Sequence, residues 1–150
     1  MYTVEEFDKE KTKVLKYIMF KKRTEHEVRN KFSKTIEENL LEDIINYLKE
    51  AGYINDNDYI DKLVNEFMVL KSLSLKEVKY KLMAKGLERN LIEDYMYSHQ
   101  IELEEYEEKS ATKIAIKKSM SMESEEIKQY LFKKGYKKEN IENALKDLKA

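Results

Sequence analysis

Apolar residues along this chain recur at helical spacing, and the recurrence itself repeats. Val28 and Phe32 are followed by Leu41, Ile44 and Ile45; Val78 and Leu82 by Ile92, Tyr95 and Met96; Ile127 and Leu131 by Ile141, Ala144 and Leu145. The three sets begin 50 and 49 positions apart. Spacing of i, i+3, i+4 lays an apolar stripe along one helix face, and self-similarity at a fixed period marks a tandem array. A further apolar stretch precedes each set: Val14, Leu15, Ile18, Met19; then Leu63, Val64, Phe67, Met68; then Ile114, Ala115. One short helix cannot bury its stripe alone, but three can enclose a core. The predicted fold is all-α, an elongated stack of three tandem three-helix repeats. An N-terminal helical segment is expected at 1–10, with repeats at 11–55, 56–101 and 102–150.

Capping signals sharpen the helix ends. Ser or Thr followed three residues later by Glu is the capping-box spacing, and it occurs at Thr3/Glu6, Thr24/Glu27, Thr35/Glu38 and Ser74/Glu77. Thr24 and Ser74 hold equivalent repeat positions. Glu123 stands there in the third repeat, where Ser121 or Ser124 is the alternative cap. Gly52, Gly86 and Gly135 each follow a helical run and precede an apolar residue, the arrangement of a left-handed C-cap; the first repeat has no counterpart of Gly86 and Gly135. These signals predict helices over 3–10, 11–22, 24–33, 36–51, 57–72, 74–85, 88–100, 102–119, 123–134 and 138–149.

Composition agrees with this pattern. There is no Pro to break a helix. Charged residues make up 39% of the chain and mean hydropathy is -0.77, which raises disorder as an alternative; the periodic placement of the apolar 41% argues for folding. Absence of Cys removes disulfides and thiolate chemistry. No apolar run approaches the roughly 18 residues of a membrane span, and the acidic start MYTVEEFDKEK is unlike a signal peptide, so a cytoplasmic protein without membrane contact is expected. Net charge is -1, too small for a dedicated nucleic-acid binder, although residues 109–150 are basic and the run Glu102, Glu104, Glu105, Glu107, Glu108 is acidic.

No constellation suggests catalysis. His26 and His99 lack partners at metal-ligand spacing and are expected on the surface. The carboxylates interleave with lysines as on a solvated helix face. Asn55-Asp56-Asn57-Asp58 lacks the Gly and terminal Glu of a calcium loop, so helix capping is expected. Neither an enzyme nor a cofactor or metal site is expected. Among the eleven Tyr, Tyr47, Tyr53, Tyr59, Tyr95 and Tyr136 are read as core residues with polar tips. Tyr80 is different: it should face outward beside Lys76, Lys79 and Met83, a cation-flanked aromatic suited to a macromolecular contact. Lys21, Lys22, Arg23 with Arg29, and Lys133, Lys134, Lys137, Lys138, form basic clusters around the other two repeats.

Four segments resemble the RecX regulatory proteins, bacterial modulators of the RecA recombinase: RTEHEVRNKF (23–32), KEAGYINDNDYI (49–60), SLKEVKYKLMAKGLERNLIEDYM (74–96) and EIKQYLFKKGYKKENIENAL (126–145). Together they cover nearly the whole chain. The sequence departs from the family pattern at Leu73-Ser74, where Gly-Pro is common, and at Lys76 and Lys79, which are arginines in many members. The resemblance implies a monomeric, curved helical stack lying along the groove of the RecA–DNA filament, blocking extension or promoting disassembly, with weak direct contact to single- or double-stranded DNA as a secondary expectation. The expected contact residues are Arg23, Arg29, Lys76, Lys79, Tyr80, Lys133 and Lys134. Two other functions fit three-helix modules: a helix-turn-helix-like DNA-binding protein and a helical protein-interaction scaffold.

Overall fold

A computed structural model describes residues 1–149 as nine helices without a strand among them: α1 (Val4–Phe20), α2 (Glu25–Phe32), α3 (Glu38–Glu50), α4 (Asp56–Leu70), α5 (Leu75–Ala84), α6 (Arg89–Ser98), α7 (Gln100–Lys118), α8 (Ser124–Lys134) and α9 (Lys138–Lys149). The expected last residue of the third repeat, Ala150, lies outside the described residues. The fold is all-α, as the periodicity predicts. The helices expected over 3–10 and 11–22 are one helix. No Gly, Pro or cap interrupts them, and the Thr12 hydroxyl bonds back to the Asp8 carbonyl at 2.7 Å instead of starting a new turn.

Three separate apolar cores run along the chain. Val14, Val28, Ile44 and Leu48 belong to the first, Ile60, Val64, Val78 and Ile92 to the second, and Ala115, Ile127, Leu131 and Ile141 to the third. Helix α7 serves two of them, giving Leu103 and Tyr106 to the second and Ala111 and Ala115 to the third. The accessible surface of 10425 Å² exceeds the roughly 8,100 Å² expected of a compact 18.1 kDa monomer, which fits an elongated stack.

Caps form at Thr3, Thr24 and Ser74, the last two as full capping boxes. Thr35 is not a cap: Glu37 takes that role for α3 and accepts from the Asn39 and Leu40 amides. In the third repeat the N-cap is Glu123 rather than Ser121 or Ser124, and its N–H donates to Glu126. Asn55 caps α4 by accepting from the Asp58 amide.

The two interfaces between repeats use one device twice. The Thr24 hydroxyl, capping α2, donates at 2.8 Å to the carbonyl of Lys85 at the end of α5. The Ser74 hydroxyl, capping α5, donates at 2.6 Å to the carbonyl of Lys134 at the end of α8. Both hydroxyl residues are fully buried. Helices α8, α5 and α2 therefore follow one another tail to head, each negative C-terminus against the next positive N-terminus. Beyond each of those carbonyls stands a glycine with positive φ, Gly86 at 80° and Gly135 at 94°, over which the neighbouring repeat packs. A methyl group on Gly86 would overlap the His26 ring, and one on Gly135 would lie 2.9 Å from Lys76 Cβ. His26 is thus an interface residue as well as an exposed one. Gly86→Ala should cost about 2–4 kcal/mol, combining left-handed strain and overpacking. Gly52→Ala, with a similar φ but open space around it, should cost only about 1–2 kcal/mol; equal denaturant midpoints for the two variants would refute this packing role.

An acid completes each interface. Asp56 accepts from the Glu25 amide at 3.0 Å, and burial pushes its carboxyl above the ordinary value of 3.8. A raised native pKa means that the native state binds the proton more tightly, so this group's contribution falls as pH rises through and above that value. Asp56→Asn, which keeps a side-chain acceptor, should flatten the pH dependence of thermal unfolding in the acid range above the ordinary carboxyl value without lowering the midpoint at pH 7. In the second interface Glu107, read from sequence as part of a solvated acidic run, is 1% exposed. It accepts from the Leu75 amide at 2.7 Å, the Lys137 amide at 2.9 Å and the Asn140 side chain at 2.9 Å. The N-termini of α5 and α9 converge on this one carboxylate. Tyr106 reinforces the same joint: its hydroxyl donates to the Lys71 carbonyl at 2.7 Å and accepts from the Leu73 amide at 3.0 Å.

Candidate functional site

The tail-to-head packing of α8 on α5 fixes a groove across the second interface. Its lining includes Lys76, Tyr80, Lys133 and Lys134 of the expected set, joined by Lys81 and Ala84, and its volume is about 460 Å³. The capping box at Ser74 fixes the phase of α5, so that Val78 and Leu82 point into the core while Lys76 and Tyr80 point out. Tyr80 is 74% exposed. Glu77 is the carboxylate lining this groove, and it is occupied with the Ser74 amide.

The first interface carries a groove of its own, about 470 Å³, which is the first groove in chain order, that between α5 and α8 being the second. Lys21, Lys22, Lys62, Lys71, Lys81 and Lys85 line it, with Glu66 as its one carboxylate among the described residues, over an apolar floor that includes Leu63 and Phe67. Lys81 and Ala84 line both grooves, so the two form one lysine-rich strip along the stack. Lys22 and Lys62 pair with Asp58 at 2.8 and 3.2 Å, which holds that carboxyl below its usual value. Among the described residues, Lys21, Lys71, Lys76, Lys81, Lys85, Lys133 and Lys134 have no carboxylate within ion-pair distance. Unneutralised cations along a concave surface sum to a positive potential that attracts an acidic partner.

The remaining expected residues lie elsewhere. The Arg23 guanidinium packs 4.2 Å from the Tyr17 ring centroid. Arg29 is engaged inside its own repeat, with Glu42 at 2.7 Å and Glu25 at 3.0 Å; these carboxylates raise its already high pKa. It lines a different cleft of mixed charge, with Glu25, Lys49 and Asp56. Lys79 is half-buried and lines neither lysine groove. The sequence reading missed Lys71, Lys81 and Lys85. Lys81 follows Tyr80 by one position, and Lys85 precedes the capping Gly86 as Lys134 of the third-repeat cluster precedes Gly135.

The tyrosines divide differently from expectation. Tyr136 is 4% exposed, and burial raises its hydroxyl pKa. Tyr59 and Tyr95 are half-buried, and burial pushes Tyr59 up to about 12. Tyr47 and Tyr53 are 48% and 47% exposed rather than core: Tyr47 sits edge-on to Phe7 with Lys11 over its ring, and Tyr53 follows the left-handed turn at Gly52. Among the described residues no group of three or more His, Asp or Glu is placed to hold a metal ion, and no helix is long and apolar enough to cross a membrane.

Comparison with known proteins identifies the stack. No family profile matches the chain. It is 30% identical over 138 residues to the regulatory protein RecX of Staphylococcus carnosus, covering 89% of this chain and 52% of that protein. It is 32% identical over 127 residues to the regulatory protein RecX of Caldanaerobacter subterraneus subsp. tengcongensis, covering 81% and 61%. The chain thus spans about half to three-fifths of the length of these curated relatives. The crystal structure of RecX from Lactobacillus salivarius superposes with a TM-score of 0.82 at 26% identity, covering 98% of this chain and 99% of that one. With the sequence likeness covering most of the chain and the fold shared over 98% of it, the chain belongs to the RecX family of regulatory proteins.

Proposed function

We propose that this protein binds the RecA–DNA filament and inhibits it, limiting filament growth, strand exchange and the ATP hydrolysis that depends on the filament. Three units, divided near residues 55 and 101, act in this reading as one rigid, monomeric strip. The observation that carries the proposal is the continuous lysine strip crossing both interfaces, where unpaired cations face outward at matching places along an elongated frame. A helical polymer with acidic patches at regular intervals offers a surface of that form.

The helix-turn-helix alternative requires a helix N-terminus free to approach base edges. Thr24 and Ser74, at the starts of α2 and α5, are fully buried against the next repeat, which closes these two helices to that role. The test adds the protein to RecA assembled on single-stranded DNA and follows ATP hydrolysis and filament length. Stoichiometric protein should lower both. Unchanged hydrolysis, or equally tight binding to bare duplex without RecA, would remove the proposal.

A further inference from the structure

The basic strip is bordered by a feature it does not explain. Phe20, the last residue of α1, is 87% exposed, and Leu70, the last residue of α4, is 70% exposed. Met120, just beyond the end of α7, is 89% exposed. The three are spaced by 50 residues in the chain. By cap alignment the third repeat places Ser119 opposite Phe20 and Leu70, with the apolar side chain one position later. Other large apolar side chains are exposed as well, among them Met19, Val69 and Phe132, but these three recur at one spacing near a helix end, and leaving them in water is costly. Helices α1 and α4 already bury a full stripe, Val14 and Ile18 in one, Ile60, Val64 and Phe67 in the other.

Cations accompany each tip. Lys21 and Lys22 follow Phe20, Lys71 follows Leu70, and Lys117 and Lys118 precede Met120. Lys21, Lys22 and Lys71 line the first groove. Lys118 shares the Tyr130 ring with Lys134 of the second groove, at 4.7 and 5.7 Å from its centroid. Along the chain, each tip therefore lies within two residues of a lysine that lines the strip or, for Lys118, shares a ring with one that does.

We infer that Phe20, Leu70 and Met120 are three successive anchors, one near the end of the first helix of each repeat, each seating in an apolar recess edged by carboxylates on successive identical subunits of a protein polymer. The inference rests on the filament reading above and names how the partner is gripped. Repetition argues for a repeating partner: one globular protein does not offer three like recesses in a row, whereas a polymer of identical subunits does so by symmetry. The lysines argue for acidic rims. A nucleic acid is disfavoured because Leu70 and Met120 have no flat ring on which a base could stack. A membrane is disfavoured because interfacial helices bury a whole apolar face in lipid, and here those faces are spent in the cores. Three modest contacts on a stiff frame act as a multivalent grip, each raising the effective concentration of the next.

The experiment substitutes Phe20→Ser, Leu70→Ser and Met120→Ser singly and together, and measures affinity for RecA filaments preformed on single-stranded DNA with a slowly hydrolysed ATP analogue. Each single change should weaken binding roughly 10-fold and the triple change at least about 100-fold, while thermal unfolding and the salt dependence of binding stay as in the parent. A parent that does not bind the filament overturns the filament reading and this inference with it. A parent that binds, with a triple variant that binds equally well, overturns the inference alone. Parallel titrations with bare single-stranded DNA and with phosphatidylglycerol vesicles cover the other surfaces. A loss confined to either of those arms also overturns the inference.

Discussion

Glu107→Ala should lower stability by roughly 3–5 kcal/mol, the largest effect expected of any single exposed-looking acid in this sequence. Among the described residues the carboxylate has no counter-charge in direct contact; it is held by two backbone amides and the Asn140 side chain. Hydrogen bonds to a charged group contribute about 1.5–3 kcal/mol each, and an unsatisfied buried donor costs about 1–3. The sum is reduced because a water molecule can enter the space left by the side chain. For a chain of this size the midpoint of thermal unfolding should fall by on the order of 10 °C. Glu107→Gln keeps one acceptor oxygen but turns an NH2 group toward the donors, so it should fall between Ala and the parent. The neighbouring Glu108 is exposed, and Glu108→Ala should change stability by no more than about 0.5 kcal/mol. If Glu107→Ala and Glu108→Ala unfold together, the second interface is not held as described.

The largest functional effect should come from reversing charge along the second groove. The triple variant Lys76→Glu, Lys133→Glu, Lys134→Glu replaces three outward cations with anions at one place. It should weaken inhibition of RecA-dependent ATP hydrolysis roughly 100-fold and reduce the salt dependence of filament binding. All three side chains are exposed, so the fold should persist, as circular dichroism can verify. Lys79→Glu is the internal control, because Lys79 lies outside both grooves and its reversal should change inhibition only slightly. If Lys79→Glu acts as strongly as the triple variant, the partner engages another face of α5.

Much of the fold was legible in the sequence because it rests on local rules. Apolar spacing and caps located eight helices within a few residues, and the one merged pair, residues 4–20, followed from a missing break rather than a wrong period. Thr35 misled because the capping-box spacing is common, while Glu37 two residues later was free to take both donors.

The candidate site was only half legible. Lys76, Tyr80, Lys133 and Lys134 were singled out from separate repeats, but that they meet in one groove depends on how α8 docks against α5. Arg23 and Arg29 looked equivalent to those lysines in sequence, yet Tyr17, Glu25 and Glu42 occupy them. Glu107 could have been suspected from its helical phase beside Leu103, Tyr106, Ser110 and Ala111, although its charge argued the other way.

The sequence by itself determined eight of the nine described helices and most of their caps and buried faces, since each depends on residues within a turn or two of one another, and it showed the threefold recurrence of that pattern. Tertiary structure alone decided which hydroxyl meets which carbonyl, which acid is taken from water, and which lysines share a groove. Those outcomes arise from contacts between residues 30 to 61 positions apart, where no periodicity constrains distance and only the packing of one repeat on the next sets the geometry.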